Sequence, residues 1–282
     1  MKLVRYGEPG RERPGMIDAQ GALHDLADHV ADIDGAALVP VTLDMLRALD
    51  PARLPRVHGK HRLGPPIGKV GKVIAVGLNY ADHAAEAGLK VPDEPILFMK
   101  ATSAISGPYD DVLLPRGSNK CDWEVELAIV IGKEARYVSE KNAAEHIAGY
   151  TICNDVSERY FQLERSGQWV KGKSADTFCP LGPWLVTADE IPDPQALELW
   201  LDVNGERMQT GSTRTMVFGV HALVSYISQF MSLQPGDVIP TGTPPGVGMG
   251  KKPPRWLKAG DEMRLGIGGL GEQRQRVKAC EE

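Results

Sequence analysis

Two glutamates alternate with apolar residues in the run Asp-Trp-Glu-Val-Glu-Leu-Ala-Ile-Val-Ile at 122–131, which is typical of a buried strand. On a strand, Glu124 and Glu126 face the same side with their Cα atoms about 7 Å apart. Two carboxylates at this spacing can bind one hard cation such as Mg²⁺, Mn²⁺ or Ca²⁺, although a solvated acidic face is an equal alternative. Ala128 and Val130 continue that face without charge, so the glutamates would lie at the mouth of an enclosed site. Burying both would be costly unless a cation neutralised them.

A polar cluster ends the next apolar run, at residues 150–159, and could supply a third oxygen ligand. Asp155 would be that ligand, although a residue of this kind is more often a turn or helix cap. If a helix follows, Asp155, Arg159 and Gln162 lie on one face of it. Arg159 could then bind a carboxylate in a bidentate fork, or form only a surface ion pair with Asp155 that contributes little.

His83 and Glu86 are three residues apart on a helix predicted over 80–87, which Asn79 could cap and Gly88 could end. A carboxylate that holds one tautomer of a histidine makes a general base able to activate water. Most such pairs are surface contacts, and a metal-binding pair is a further alternative. The hard oxygen ligands elsewhere in the chain favour the base.

Residues 167–174 match the phosphate-loop pattern G-x-x-x-x-G-K-S, but their context argues against nucleotide binding. The bulky Trp169 leaves no room for a cradle of amides, the preceding segment is polar and helix-like, and two prolines follow. The alternative prediction places Lys171 and Lys173 on one face of an extended segment, where a near-buried ammonium could stabilise an oxyanion.

The loop at 241–250 is rich in glycine and follows a predicted strand, so its backbone N–H groups could approach a bound ligand closely. A plain connecting loop is the alternative. The sequence contains no G-x-S-x-G elbow, and no cysteine has the context of a nucleophile, which argues against covalent catalysis.

Strands must position most of these residues. Strand-like runs are predicted at 72–77, 95–99, 125–131, 147–153, 184–186, 199–203 and 237–240, with a hairpin over 16–23 and a hairpin turn at Asn204-Gly205. Helices are predicted at 42–49, capped by Thr42, and at 221–231. The predicted fold class is therefore strand-rich α+β. The basic, Gly/Pro-rich stretch 54–69 predicts a linker, which divides a small N-terminal module and linker at 1–66 from the main domain at 67–282.

The 282 residues carry 32 Lys+Arg and 37 Asp+Glu, for a net charge of -5. This mildly acidic balance argues against a nucleic-acid partner, because binding there needs clustered positive charge. No apolar run approaches the roughly 20 residues that span a bilayer, and the N-terminus lacks the apolar core of a secretory signal. The four cysteines form no C-x-x-C pair, so they are expected to be reduced thiols in a cytoplasmic protein.

Six motifs occur in order from about residue 70 to residue 280 and together resemble the fumarylacetoacetate hydrolase family. They are GLNYADHAAEAG, PILFMK, DWEVELAIVIGK, GYTICNDVSER, KGKSADTFCPLGPW and TGTPPGVG. The resemblance implies a mixed β-sandwich or roll catalytic domain with a small N-terminal module, and a divalent metal that is usually Mg²⁺. It also implies small 2,4-diketo acids or related oxo acids as substrates, and a homodimer or homotetramer.

The resemblance further implies a role for each candidate residue. The metal ligands would be Glu124, Glu126 and Asp155; the water-activating pair His83 and Glu86; the oxyanion-stabilising lysine Lys173; and the substrate-binding residues Lys100, Arg159, Gln162 and Thr243. Ala175 departs from the family, in which many members carry a bulky residue at this place, so the pocket size is left open.

A water-activating base implies hydrolysis of the C3–C4 bond of a 2,4-diketo acid. The N-terminal module and the run at 169–187 look most like the 2,4-diketo-3-deoxy-L-rhamnonate and fuconate hydrolase members, which release pyruvate and a hydroxy acid such as lactate. Alternatives on the same site are a metal-dependent oxaloacetate-type decarboxylase, an oxo-acid isomerase or tautomerase, and a ureidoglycolate lyase-like activity. A non-enzymatic protein that binds oxo acids or metal is disfavoured, because a base, a metal site and a cationic clamp rarely coincide without chemistry.

Overall fold

The computed structural model describes residues 1–86 and 90–280, with the backbone but not the side chains of residues 83–85. Its strands are β1 (Lys2–Tyr6), β2 (Arg13–Ile17), β3 (Leu23–Asp25), β4 (Val73–Gly77), β5 (Ile96–Lys100), β6 (Ile105–Ser106), β7 (Val112–Leu114), β8 (Cys121–Asp122), β9 (Val125–Ile131), β10 (Ile147–Asn154), β11 (Ser157–Glu158), β12 (Cys179–Thr187), β13 (Glu198–Val203), β14 (Glu206–Ser212), β15 (Val238–Pro240), β16 (Glu262–Ile267) and β17 (Gly271–Ala279). Its α-helices are α1 (Pro40–Arg47), α2 (Ala81–Glu86), α3 (Arg159–Leu163), α4 (Val170–Lys173) and α5 (Val220–Ile227). Short 3-10 helices cover Pro51–Arg53, Thr102–Ala104, Glu140–His146, Ala188–Glu190, Thr213–Thr215 and Gly248–Gly250. Within the described residues, no helix is long and apolar enough to cross a membrane.

Two sheets build most of the molecule. The larger runs in the order β3-β2-β1-β12-β10-β9-β15-β4-β5, with β6 beside β12, and the smaller in the order β14-β13-β16-β17-β7. Strands β8 and β11 form a separate two-stranded pair. Most neighbours are antiparallel, while β15 with β4, β12 with β6 and β17 with β7 are parallel. The predicted strand-rich α+β fold is confirmed.

Strand β9 lies inside the larger sheet between β10 and β15, and all seven of its residues are buried. Its apolar residues, among them Leu127 and Ile129, share one hydrophobic core with Leu201 of β13 and Leu265 of β16. Because both faces of β9 are covered, the run is apolar at nearly every position. Glu126 lies within this strand, so its carboxylate is held in a buried environment.

The first three strands extend the larger sheet, because β1 pairs with β12 through Leu3 opposite Leu185. A second hydrophobic cluster joins N-terminal residues such as Leu38 to Val130 of β9. Ile67, inside the predicted linker stretch, is buried in the same cluster. The sheet thus continues across the predicted division between residues 66 and 67, and that division stays a prediction.

The Asn204-Gly205 turn is confirmed: it joins β13 to β14, and its two residues have positive φ angles of 52° and 78°. The predicted cap at Thr42 is wrong, because α1 begins two residues earlier at Pro40. Proline suits the first turn of a helix, where its fixed φ is favourable and no N–H is needed. The Thr42 hydroxyl instead donates to the carbonyl of Ala36 (3.1 Å).

Candidate active site

Three buried carboxylates meet where β9 begins and β10 ends. Glu124, Glu126 and Asp155 can each place one oxygen within 4.8 Å of the others, and none is more than 5% exposed. Strand alternation puts the two glutamates on one face, and the register places Cys153 of β10 opposite Glu126. Asp155 follows two residues later, and its N–H donates to the carbonyl of Glu124 (2.9 Å). The structure therefore brings together the three residues that the sequence predicts as metal ligands.

Three buried cations neutralise two of these carboxylates. The oxygens of Glu124 accept from Arg159 Nη2 (2.6 Å) and from Lys173 Nζ (2.7 Å). The oxygens of Asp155 accept from Lys100 Nζ (2.5 Å) and from Lys173 Nζ (2.7 Å). All of these ion pairs are shielded from water, so removing one partner would leave a buried charge without its counter-ion.

Glu126 has the least compensation of the three carboxylates. Among the described residues, its hydrogen-bond donor is the backbone N–H of Gly242 (2.8 Å). Burial, and then repulsion from Asp155 and Glu124, raise the pKa of Glu126 well above its ordinary value. A divalent cation between the three carboxylates would remove this repulsion, and oxygen ligands are the set that Mg²⁺ and Mn²⁺ prefer. The residues present therefore fit a divalent metal ion.

Lys173 reaches the carboxylates from the short helix α4, so the prediction of an extended segment is wrong. Residues two apart on a helix point in different directions, which leaves Lys173 only 2% exposed while Lys171 lies at the surface. Gly172 lets α4 pack closely on α3, since a Cβ there would lie 2.6 Å from Cβ of Gln162. This close packing between two helices was not visible in the local sequence.

The ammonium group of Lys173 stays protonated. Burial by itself lowers the pKa of Lys173, but the attraction of Asp155 and Glu124 outweighs it and raises the pKa above its ordinary value. The same ammonium lies 4.9 Å from the centre of the Phe98 ring. A fixed positive charge at this position can stabilise an oxyanion on a bound substrate.

Arg159 begins α3 and is buried, so the surface ion pair with Asp155 is wrong. Besides its bond to Glu124, its Nε donates to Asp122 (2.9 Å) and its Nη1 donates to Gln162 Oε1 (3.1 Å). Arg159 and Gln162 share a helix face as predicted. Asp155 is not part of that face, because β11 separates it from α3.

Asp122 is a site residue to which the sequence analysis assigns no role, although it begins the motif DWEVELAIVIGK. It is fully buried, and its two oxygens accept from Arg159 Nε, from the N–H of Gly248 (2.6 Å) and from the N–H of Met249 (3.1 Å). Asp122 thus joins the end of the glycine-rich loop to the arginine that orients Glu124. A signal was present in the sequence, because acidic residues alternate at 122, 124 and 126.

Replacing Asp122 by asparagine is expected to weaken Mn²⁺ binding by roughly tenfold, because second-sphere partners of metal ligands typically carry that much affinity. The amide nitrogen would face a donor, either Arg159 or a loop N–H, so Glu124 would lose its fixed orientation. Titration of the protein with Mn²⁺, followed by electron paramagnetic resonance, measures the effect. Asp237→Asn is the matched control, since Asp237 is a buried acceptor for the N–H groups of Lys72 (2.9 Å) and Gln234 (2.7 Å) outside the cavity. Equal Mn²⁺ affinity in the two variants would contradict the prediction.

Two N–H groups of the glycine-rich loop bind the protein's own carboxylates, and the predicted approach of the loop to a ligand stays a prediction. The N–H of Gly242 donates to Glu126, and that of Gly246 donates to both oxygens of Glu86 (3.1 and 3.0 Å). Gly242 has φ +100°, and a Cβ there would lie 2.8 Å from Cβ of Asn79. The loop therefore supports the site by holding carboxylates in place.

Asn79 does not cap α2, which begins at Ala81. Its amide donates to the carbonyls of Phe218 (3.0 Å) and Thr241 (2.8 Å), and its side-chain oxygen accepts from the N–H of Phe218 (2.8 Å). Asn79 thus ties two loops together across the sheet edge. The predicted helix end at Ala87 and Gly88 lies outside the described residues.

His83 and Glu86 both lie on α2. The side chain of His83 is outside the described set, so its predicted contact with Glu86 stays a prediction. The carboxylate of Glu86 is held against the glycine-rich loop by the N–H of Gly246. Helix α2 therefore presents Glu86 next to the loop that also supports Glu126.

The carboxylates open onto a cavity of about 110 Å³. The Thr243 hydroxyl donates to the carbonyl of Val125 (2.9 Å) and accepts from Gln209 Nε2 (2.8 Å), so it can offer a substrate only an acceptor. Lys100 is bound to Asp155 and does not line the described cavity. The polar residues that line it are Glu124, Glu126, Asp155, Arg159, Gln162, Lys173 and Thr243.

Comparison with known proteins agrees with this arrangement of fold and site. The model of the C-terminal region of fumarylacetoacetate (FAA) hydrolase matches residues 72–278. The chain belongs to the fumarylacetoacetate hydrolase family.

Relatives of this family member include a Burkholderia multivorans protein, provisionally named a hydrolase, that is 60% identical over 99% of this chain and 100% of its own. A solved maleylpyruvate hydrolase from Sphingobium sp. SYK-6, in complex with manganese(II) and pyruvate, is 30% identical with a TM-score of 0.83, and the match covers 100% of both chains. The solved 5-carboxymethyl-2-hydroxymuconate delta-isomerase from Mycobacterium smegmatis is 35% identical with a TM-score of 0.78, again over 100% of both chains. The family thus includes both hydrolases and isomerases.

Proposed function

We propose that this family member is a divalent-metal-dependent hydrolase that cleaves the C3–C4 bond of a 2,4-diketo acid and releases pyruvate. The observation that carries the proposal is the buried cluster of Glu124, Glu126 and Asp155, which faces a cavity together with the ammonium of Lys173. A pyruvate and a manganese ion in the related maleylpyruvate hydrolase support it.

Glu124, Glu126 and Asp155 would hold the metal, with Mg²⁺ as our first choice and Mn²⁺ as the alternative. When bound, the cation supplies a Lewis acid beside the oxo-acid end of the substrate. It also offsets the charge of Glu126, the carboxylate with the least compensation in the cluster.

The acid end of the substrate is bound by Arg159 and Gln162. Three of the five N–H groups of Arg159 donate to Asp122, Glu124 and Gln162, and the remaining two have no acceptor among the described residues. Both side chains line the cavity, so these N–H groups and the Gln162 amide can donate to a carboxylate. Lys173 then stabilises the negative charge that develops on the C4 oxygen.

His83, oriented by Glu86, is assigned the proton transfer. It removes a proton from water as the water oxygen bonds to C4, and the C3–C4 bond then breaks with its electron pair on C3. A proton delivered to C3 completes pyruvate, and the acyl part leaves as a carboxylic acid. In the finer proposal, this acyl part is the hydroxylated tail of a 2,4-diketo-3-deoxy sugar acid, with lactate as the second product.

The test follows the loss of the ultraviolet absorbance of the diketo acid together with pyruvate release. Simple acylpyruvates and 2,4-diketo-3-deoxy sugar acids are compared with Mg²⁺, with Mn²⁺ and with EDTA. Metal-dependent pyruvate release is expected, and a preference for the sugar acid would support the finer proposal. Activity on acylpyruvates alone would keep the reaction and discard the sugar acid, while no pyruvate from any substrate would contradict the proposal.

An isomerase is the second candidate, because a 35% identical solved relative is a delta-isomerase. The two reactions differ in their products, because an isomerase releases no pyruvate, and in their need for a base that activates water, which His83→Ala tests. For a hydrolase, we expect pyruvate release to fall by about a hundredfold, the size of a typical general-base effect, with Mn²⁺ binding retained. Full pyruvate release by the His83→Ala variant would contradict the role of this histidine as the base that activates water.

A further inference from the structure

The rest of the cavity lining is apolar. Phe98 and Trp169 meet edge to face with ring centres 5.3 Å apart. Trp169 also packs over Gly77, where a Cβ would lie 2.6 Å from the indole ring. The wall is therefore held in one arrangement by packing. Its members among the described residues are Val76, Leu78, Phe98, Leu163, Trp169 and Met249.

The positive charges in the lining lie beside the carboxylate cluster, where Lys173 also contacts Phe98 of the wall (4.9 Å to the ring centre). Of the described lining residues, Arg159 and Lys173 are the cationic ones, and both bind Glu124. Their charges therefore lie beside the carboxylate cluster, at the end of the cavity where the oxo acid would bind. A charged group on the opposite end of a substrate would meet no cation within this lining.

The lysines and arginines of the neighbouring described segments do not line this cavity. Residues 83–85 and 87–89, whose side chains lie outside the described set, are His, Ala, Ala, Ala, Gly and Leu, so they contain no lysine or arginine. Lys90 is exposed and pairs with Asp93 (3.1 Å). Lys251 lines a separate cavity with Glu86, and its Nζ donates to the carbonyl of Met208 (3.4 Å). Glu86 and Lys252 also line that separate cavity.

We infer that the part of the substrate beyond C4 is uncharged, so that the enzyme acts on monocarboxylic 2,4-diketo acids and discriminates against those with a second carboxylate. This inference rests on the proposed function. A carboxylate placed against the apolar wall would lose its hydration and gain no partner, which is costly. An alkyl or hydroxylated tail does not carry the cost of desolvating a charge.

The test compares two substrates of the same length that differ in one terminal carboxylate, 2,4-dioxoheptanoate and 2,4-dioxoheptanedioate. With the metal-loaded full-length enzyme, kcat/KM is expected to favour the monocarboxylate by at least about tenfold, because the second carboxylate is desolvated without a partner. The difference is expected mainly in KM, since the tail does not take part in bond cleavage. This comparison uses the natural chain and does not depend on how any variant folds.

Leu163→Arg adds a cation to the wall at a position that is 46% exposed, where a longer polar side chain can be accommodated. This change is expected to shift the ratio of the two kcat/KM values toward the dicarboxylate by roughly tenfold, through a new ion pair. Val41→Arg adds the same charge at a residue of α1 that is 75% exposed and outside the cavity lining. The control variant is expected to keep the natural ratio.

The possible outcomes distinguish a failure of this inference from a failure of the proposed function. Cleavage of both acids with similar kcat/KM, or a preference for the dicarboxylate, overturns the inference and leaves the proposed hydrolase intact. If the ratio of the two kcat/KM values changes no more in Leu163→Arg than in Val41→Arg, the tail does not lie against this wall. That result would also overturn the inference. Cleavage of neither acid and of no 2,4-diketo-3-deoxy sugar acid, with metal bound, overturns the proposed function itself.

Discussion

Replacing Glu126 by glutamine abolishes Mg²⁺ and Mn²⁺ binding and lowers pyruvate release by about a thousandfold, the equivalent of roughly 4 kcal/mol in the barrier. This is the largest effect that we expect from one substitution in this protein. Glutamine keeps the size of the side chain and can still accept from the N–H of Gly242, so the strand is expected to stay intact. What it removes is one of three negative charges that would hold the cation. Calorimetric titration with Mn²⁺ and the pyruvate assay measure the two losses separately.

The same substitution is expected to stabilise the metal-free protein. Because burial and two neighbouring carboxylates raise the pKa of Glu126, the folded state binds a proton here more tightly than the unfolded state. This contribution is complete below the ordinary pKa of glutamate, roughly 4.3, and is lost as the pH rises above it. In EDTA, the melting temperature of the natural protein should therefore fall more steeply with rising pH than that of Glu126→Gln. Adding Mg²⁺ should raise the melting temperature of the natural protein alone.

Glu134→Gln is the control for this pair of measurements, because Glu134 is an exposed glutamate outside the carboxylate cluster. It should match the natural protein in metal binding, in activity and in the pH dependence of melting. Undiminished Mn²⁺ binding in Glu126→Gln would contradict the assignment of the metal site.

Replacing Lys173 by methionine lowers kcat by about a hundredfold, the typical effect of removing one oxyanion-stabilising donor. Methionine has a similar length and no charge, so the pocket shape is largely kept. Lys173 also donates to Glu124 and Asp155, and losing it leaves both carboxylates with less compensation. Metal affinity is therefore expected to be unchanged or higher, which separates this variant from Glu126→Gln. Single-turnover kinetics with saturating Mg²⁺ isolates the chemical step.

Lys171→Met is the matched control, because Lys171 lies on the same helix, two residues away, and faces solvent. It should retain the natural kcat. Since breaking buried ion pairs is destabilising, the melting temperature of Lys173→Met is measured with Mg²⁺ present, where the cation replaces part of the lost charge. Natural kcat in a folded, metal-bound Lys173→Met would rule out an oxyanion role for this lysine.

The local sequence was sufficient to predict the structure where an alternating strand pattern or a specific turn type determines it. The apolar period of the run at 125–131 predicts β9 with its observed ends, and the same period places Glu124 and Glu126 on one face. Asn204-Gly205 predicts its hairpin, because these residues accept the positive φ angles that such a turn requires. The sequence analysis did not predict strand β17, because its buried positions do not form an apolar alternation. Two of them are Gln273 and Gln275, polar residues that hydrogen-bond other segments.

The sequence by itself therefore determined which residue types line up on the strands, and with them the oxygen ligands and the class of metal that suits them. Only the tertiary structure decided how these ligands are compensated. Arg159 pairs with Glu124 from 35 positions away, and Lys100 reaches Asp155 across 55 positions. Such pairings depend on the order of strands and on the close packing of two short helices, which no local period encodes. The same contacts decide which cations remain available to a substrate, because a buried charge is held by the nearest opposite charge that the fold provides.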